Sequence, residues 1–71
     1  MTVTVLLFAH LRDRLGPAVE VELPDGATVG ELRARLPLEG CRVAVDLAFA
    51  EDSDVIPPGA EVAAIPPVCG G

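Results

Sequence analysis

Ala18-Val19-Glu20-Val21-Glu22-Leu23-Pro24-Asp25-Gly26-Ala27-Thr28-Val29-Gly30-Glu31-Leu32-Arg33-Ala34-Arg35-Leu36 is the stretch on which the fold turns. Its hydrophobic period changes halfway along. From Ala18 to Leu23, Val19, Val21 and Leu23 alternate with Glu20 and Glu22, the pattern of a half-buried strand. Pro24-Asp25-Gly26 is a turn. Thr28-Val29-Gly30-Glu31 then has the form of a capping box, with Thr28 as N-cap and Glu31 reaching back to it. The spacing predicts a helix to about Leu36, where Pro37 discourages continuation. Val29, Leu32 and Leu36 make its buried stripe. Glu31 and Arg35 are correctly ordered for an i,i+4 ion pair worth about 0.3 kcal/mol. Gly30 costs such a helix about 1 kcal/mol relative to alanine, so packing must hold it.

Strand patterns lie on both sides. Thr2 to Phe8 is a first strand, with Val3, Val5 and Leu7 on one face; Leu6 and Phe8 make the end of the other face apolar too, which predicts a central position. His10 to Gly16 reads as a helical turn closed by glycine, with Pro17 preventing continuation. His10 is read as a capping or surface residue, and Arg12, Asp13 and Arg14 as a solvated face. After a short link over Leu38 to Gly40, Arg42 to Asp46 is a third strand with Val43 and Val45 inward. Leu47 to Val55 is polar and acidic, with a short strand near Phe49. Ile56-Pro57-Pro58-Gly59 is a turn, and Glu61 to Ile65 is the last strand. A single helix laid across one face of a mixed sheet of four to five strands accommodates this order: an α+β domain of the β-grasp, or ubiquitin-like, kind. The last strand is expected to run parallel beside the first.

At 71 residues the chain is one domain, residues 1–71. A chain of this size buries only about 60% of its unfolded surface, so a large enclosed active site of its own is not expected. A hydrophobic content of 51% excludes a disordered tail. No apolar run is long enough to span a bilayer. The N-terminal residues enter strand-like alternation directly, without the pattern of a secretory leader. The expected location is the cytoplasm, with no membrane partner. The formal net charge is -6, and every cation is an arginine: Arg12, Arg14, Arg33, Arg35 and Arg42. Nucleic acid is disfavoured as a partner, because phosphate neutralisation needs a basic face; a basic protein fits better. Cys41 and Cys69 are too few for an all-cysteine metal site, so no metal is expected.

The end of the chain carries the functional signal. Ile65-Pro66-Pro67-Val68-Cys69-Gly70-Gly71 begins apolar and stiff, since consecutive prolines favour extended backbone and exclude helix. Gly70 and Gly71 have no side chains, so the terminal carboxylate can enter a narrow channel. From Val68 to the end the chain reaches about 13 Å at about 3.3 Å per residue. Val68, Cys69 and Gly70 are therefore read as an inserting tail and Gly71 as the reacting group. Phe8, Ile65, Pro66 and Pro67 are expected at one end of the sheet, as a partner-binding patch.

Two segments resemble the small sulfur-carrier subunit of molybdopterin synthase. Val5-Leu6-Leu7-Phe8-Ala9-His10-Leu11-Arg12-Asp13-Arg14-Leu15-Gly16 resembles that family's strand ending in Phe-Ala, followed by a turn closed by glycine. Pro58-Gly59-Ala60-Glu61-Val62-Ala63-Ala64-Ile65 with the tail resembles its final turn, strand and Pro-Pro-Val-X-Gly-Gly ending. Asp46 stands where an asparagine is common in the family, and Cys69 where a small or hydroxyl residue is usual. The resemblance implies that an adenylating enzyme uses ATP, with Mg on that enzyme, to convert the Gly71 carboxylate transiently to an acyl-adenylate. A sulfur donor such as a cysteine desulfurase or rhodanese-like protein then leaves a C-terminal thiocarboxylate. The tail enters the large synthase subunit, where its sulfur passes to a pterin precursor to build the dithiolene of the molybdenum cofactor. The implied assembly is a heterotetramer in which this chain is a non-autonomous subunit without a permanently bound cofactor. Thiamine or transfer-RNA thiolation would use the same tail chemistry. A ubiquitin-like modifier joined through Gly71 to lysines, and an interaction module with an inert tail, are readings of other classes.

Overall fold

Five strands lie side by side in the order β2-β1-β5-β3-β4: β1 (Thr2–Leu7), β2 (Ala18–Glu22), β3 (Arg42–Val45), β4 (Ala48–Ala50) and β5 (Val62–Ile65). Two short helices complete the fold, α1 (Ala9–Leu15) and α2 (Val29–Arg33). The computed structural model describes residues 1–38 and 40–67. β1 pairs antiparallel with β2 and parallel with β5, and β3 is antiparallel to both β5 and β4. The sheet is thus mixed, with β1 inside it, as its two-sided apolar end predicts. Among the described residues no helix is long and apolar enough to cross a membrane.

The core lies between the sheet and α2. Val3, Val5 and Leu7 of β1 and Val62 and Ala64 of β5 point inward, against Val29 and Leu32 of α2; Leu11 of α1, Leu38 and Ile56 close its edges. All ten are almost fully shielded from solvent, each removing roughly 1.5–3 kcal/mol worth of apolar side chain from water if fully buried, less for alanine. The alternation of valines on β1 and β5 reproduces the period-2 signal of the sequence.

The capping box forms as read. The Glu31 amide donates to the Thr28 hydroxyl oxygen at 3.3 Å, and the Thr28 amide to the Glu31 carboxylate at 3.4 Å. The helix is shorter than expected. It stops at Arg33, and residues 34–37 continue as turns. The Arg35 amide bonds to the Leu32 carbonyl at 3.0 Å, a tightened last turn. Pro37 disfavours helical backbone at Leu36, so Leu36 is only half-buried and Leu38 fills the core instead. The Glu31–Arg35 ion pair does not form: the Glu31 carboxylate is used in the cap, and the Arg35 guanidinium donates to the Glu22 carbonyl at 3.1 Å.

Gly30 has a structural reason beyond helix propensity. The loop after β4 crosses the start of α2, and the amides of Val29 and Gly30 donate to the carbonyls of Asp54 and Asp52, each at 2.9 Å. These amides would otherwise be orphans of the first helical turn. Arg33 fastens the same loop, bonding the Asp52 carboxylate at 2.6 Å and the Leu38 carbonyl at 3.1 Å.

β3 and β4 are joined by Asp46 and Leu47, whose φ angles are 50° and 69°. Positive φ at both central residues is the requirement of the tight hairpin turn that matches strand twist. The last strand begins at Val62, one residue later than expected, because Glu61 is tied to this turn: its amide donates to the Asp46 carboxylate at 3.0 Å and its carbonyl accepts from the Asp46 amide at 2.8 Å.

Candidate functional site

The sheet face turned away from α2 carries the site. Side chains on a strand alternate between faces, so this face receives Leu6 from β1, Ala63 and Ile65 from β5, Arg42 and Ala44 from β3, and Phe49 from β4. The register sets four of these in one row: Leu6 opposite Ala63, Ala63 opposite Ala44, and Ala44 opposite Phe49. The next row toward the chain end pairs Ile65 with Arg42.

The result is a trough. Ala63 and Ala44 are small and make its floor, while Leu6, Phe8, Leu47, Phe49 and Ile65 stand around it. Its volume is about 230 Å³, and Glu61 closes its far end. Phe8 is 46% exposed, Phe49 57% and Leu47 91%. Three large apolar side chains so exposed around one depression mark a binding surface. Arg42 lies 3.8 Å from the Phe49 ring centre, so the ring is held from one side by a cation.

Phe8 lies outside β1, which ends at Leu7; it is the N-cap of α1 and points into the trough. The following residue, Ala9, holds a φ of 53°, and this sharp turn takes Phe8 out of the strand and onto the rim. Ile65 ends β5, half-buried at the trough. Pro66 is buried and Pro67 exposed. Of the expected patch, Phe8, Ile65 and Pro67 therefore offer surface, whereas Pro66 turns to the interior and fixes the exit direction. A Cβ on Gly40 would lie 3.9 Å from the Pro67 ring, so the exit passes close to the backbone before β3. Val68, Cys69, Gly70 and Gly71 lie outside the described residues.

Leu6, Ala44, Leu47, Phe49 and Ala63 are absent from the sequence-based patch. Phe49 had a usable signal, as the one aromatic residue in an acidic segment. The two alanines had none, because a floor exists only once three strands are in register.

A model of the ThiS family matches residues 5–71. No curated protein matches the chain. Among solved structures, SAMP1, the small archaeal modifier protein 1 of Haloferax volcanii, is 26% identical with a TM-score of 0.81, covering 100% of both chains. The putative molybdopterin converting factor subunit 1 of Pyrococcus furiosus is 24% identical with a TM-score of 0.82, covering 96% of this chain and 99% of that one. A protein–protein complex of subunits 1 and 2 of the molybdopterin-converting factor from Helicobacter pylori contains a chain 24% identical, with a TM-score of 0.70 and full coverage of both chains.

Proposed function

We propose, from the premise that this chain belongs to the ThiS family, that it is a sulfur carrier and the small subunit of a molybdopterin synthase. Gly71 carries the sulfur as a C-terminal thiocarboxylate. One observation carries most of the weight. β5 is hydrogen-bonded on both sides and ends at Ile65, where the chain leaves the sheet beside an exposed apolar trough with the Pro-Pro-Val-Cys-Gly-Gly sequence still to run. A rigid strand, a stiff proline exit and a docking surface together suit a tail that is handed to another protein.

The chemistry follows from the carboxylate. α-Carboxyl groups ordinarily have a pKa near 3.5, so such a group is ionised at neutral pH and is a poor electrophile. An adenylating enzyme joins it to the AMP portion of ATP and releases pyrophosphate. The sulfur of a persulfide donor then attacks the carbonyl and AMP leaves. A second thiolate then attacks the donor-side sulfur of the resulting acyl disulfide, which frees the thiocarboxylate and leaves a disulfide between that thiol and the donor cysteine. The large synthase subunit takes the tail and a pterin precursor, and sulfur passes between them. The named complex of subunits 1 and 2 from Helicobacter pylori supports a large-subunit partner. Phe8, Ile65 and Phe49 are the residues that seat it, being bulky, exposed and next to the exit.

The likeness to SAMP1, a protein named as a modifier, favours a second reading in which Gly71 is joined to amines of other proteins. One experiment separates the two. The full chain is incubated with an adenylating enzyme, ATP and a persulfide donor, and its intact mass is measured before and after addition of large subunit and pterin precursor. Replacement of one oxygen by sulfur, followed by its loss to the pterin, is the expected result. Adducts to protein lysines without a sulfur-bearing form would support the modifier instead.

A further inference from the structure

We infer that the partner surface opposite this sheet is apolar near the tail and basic about two residues farther along the strands, and that it meets a row of carboxylates running from Glu20 through Glu61 to Asp46. The inference rests on the proposed large-subunit partner and adds its chemistry. The row comes from the register. Thr4 pairs with Glu20, and Glu61 lies one residue before the Val62 that pairs with Val5, which puts it beside Thr4. Glu61 is bonded in turn to Asp46. Glu20, Thr4, Glu61 and Asp46 therefore cross the sheet parallel to the apolar row of Leu6, Ala63, Ala44 and Phe49, about 7 Å away at two residues' rise.

The two rows differ in chemistry on one continuous face. Toward the tail, the face shows Phe8, Ile65 and Arg42; away from it, carboxylates. Glu20 and Glu61 are exposed, and neither has an ion-pair partner among the described residues. Arg42, the cation on this face, is stacked on Phe49 at the opposite end. Glu20 and Glu61 stand about 10 Å apart across two strand spacings, about one Debye length at about 0.1 M salt, so their fields add at that salt and below. A partner with lysines or arginines at that spacing is steered onto the face in one orientation, with its apolar part over the trough and its tail channel at Ile65. Reversed docking sets its cations over Phe8 and loses both gains.

The test uses the full chain and the large synthase subunit, with association and dissociation rates measured from low to high salt. Three forms are compared: wild type, Glu20→Lys/Glu61→Lys, and a control of equal net charge, Asp13→Lys/Asp25→Lys, whose positions lie on α1 and in the turn after β2 and not on the sheet strands; Asp25, 3.5 Å from the N-terminal ammonium, gives up that ion pair. Melting curves of all three establish that folding is kept, and Glu20→Gln/Glu61→Gln replaces the reversed variant should that one melt early. The expected result is association slowed about tenfold or more by the face variant at low salt, converging with wild type at high salt, with the control near wild type. Equal slowing by face and control variants reduces the effect to net charge and overturns the inference, as does wild-type association indifferent to salt; both leave the proposed function standing. Failure of wild type to bind the large subunit at all overturns that function and the inference with it.

Discussion

The Gly30 amide donates to the Asp52 carbonyl at 2.9 Å, and a Cβ on Gly30 would stand 3.2 Å from that same oxygen. Helix propensity alone predicts that Gly30→Ala stabilises by about 1 kcal/mol. The contact opposes it. The oxygen is backbone, and its residue is also held by Arg33 at 2.6 Å, so the loop cannot yield freely. Crowding of this kind costs about 1–3 kcal/mol. Gly30→Ala is expected to lower stability by about 1 kcal/mol net, read as a lower urea midpoint at unchanged slope. A midpoint above wild type would show that the loop yields.

Leu47 holds a φ of 69° and is 91% exposed. Left-handed backbone costs a non-glycine residue about 1–2 kcal/mol, and almost no burial offsets it here. Leu47→Gly makes the turn Asp-Gly, a favoured pair for this geometry. Net of glycine's entropy, a gain of about 0.5–1 kcal/mol is expected. Because Leu47 also stands at the trough, the same variant is expected to bind the large subunit several-fold more weakly. Thermal melting and a binding titration check the two arms separately; a gain in both would remove Leu47 from the docking surface.

Phe8 and Phe49 form opposite walls of one trough on separate elements. Both are about half exposed, so truncation removes little core. Phe8→Ala and Phe49→Ala are each expected to shift the melting temperature by only a few degrees. Buried aromatic anchors at interfaces are worth about 2 kcal/mol or more, roughly a thirtyfold loss of affinity. Calorimetric titration against the large subunit tests this. Loss of folding in Phe8→Ala would make Phe8 a core residue after all.

These residues also show what the sequence reveals. Val3, Val5, Leu7, Val62 and Ala64 were legible because a half-buried strand writes its two faces into every second residue. The Thr28–Glu31 cap was legible because both partners lie within one turn. The end of α2 was not: whether Leu36 or Leu38 fills the core is decided by the tightened turn before Pro37. Nor was the role of Gly30, since its neighbour Asp52 arrives from twenty-two residues away. The trough is the extreme case. Leu6, Ala44, Phe49 and Ala63 come from four strands and meet only through register, so no window of sequence contains the pattern. The proposed reacting end stands apart: its motif is legible as sequence, and its residues lie outside those described.

Gly71 is where the proposed chemistry occurs, and its carbonyl carbon must be placed closely against the activating enzyme and then the pterin. Reacting groups displaced by about 1 Å lose rate by about a hundredfold. Adding one alanine after Gly71 moves the carboxylate by about 3.5 Å. The extended chain is expected to keep its melting temperature and lose thiocarboxylate formation. Normal conversion of the extended form, read by intact mass, would contradict a channel that measures tail length.

Cys69 stands two residues from the carbonyl proposed to react, where the resembling family has a small or hydroxyl residue. A thiol there has two conceivable roles: attack on the activated carbonyl to give a cyclic thioester, or relay of sulfur as a persulfide. Both need thiolate. An unperturbed cysteine, with a pKa of about 8.5, is only a few per cent thiolate at neutral pH. A ring closed through Cys69, Gly70 and Gly71 is also small and strained. The expectation is that Cys69 fills space as a small apolar residue. Cys69→Ser should then gain sulfur at its C-terminus at close to the wild-type rate when incubated with the activating enzyme, ATP and a persulfide donor. Intact mass over time reads the result directly, because serine itself accepts no persulfide sulfur. Conversion of the cysteine form alone would place Cys69 in the mechanism and remove the space-filling account.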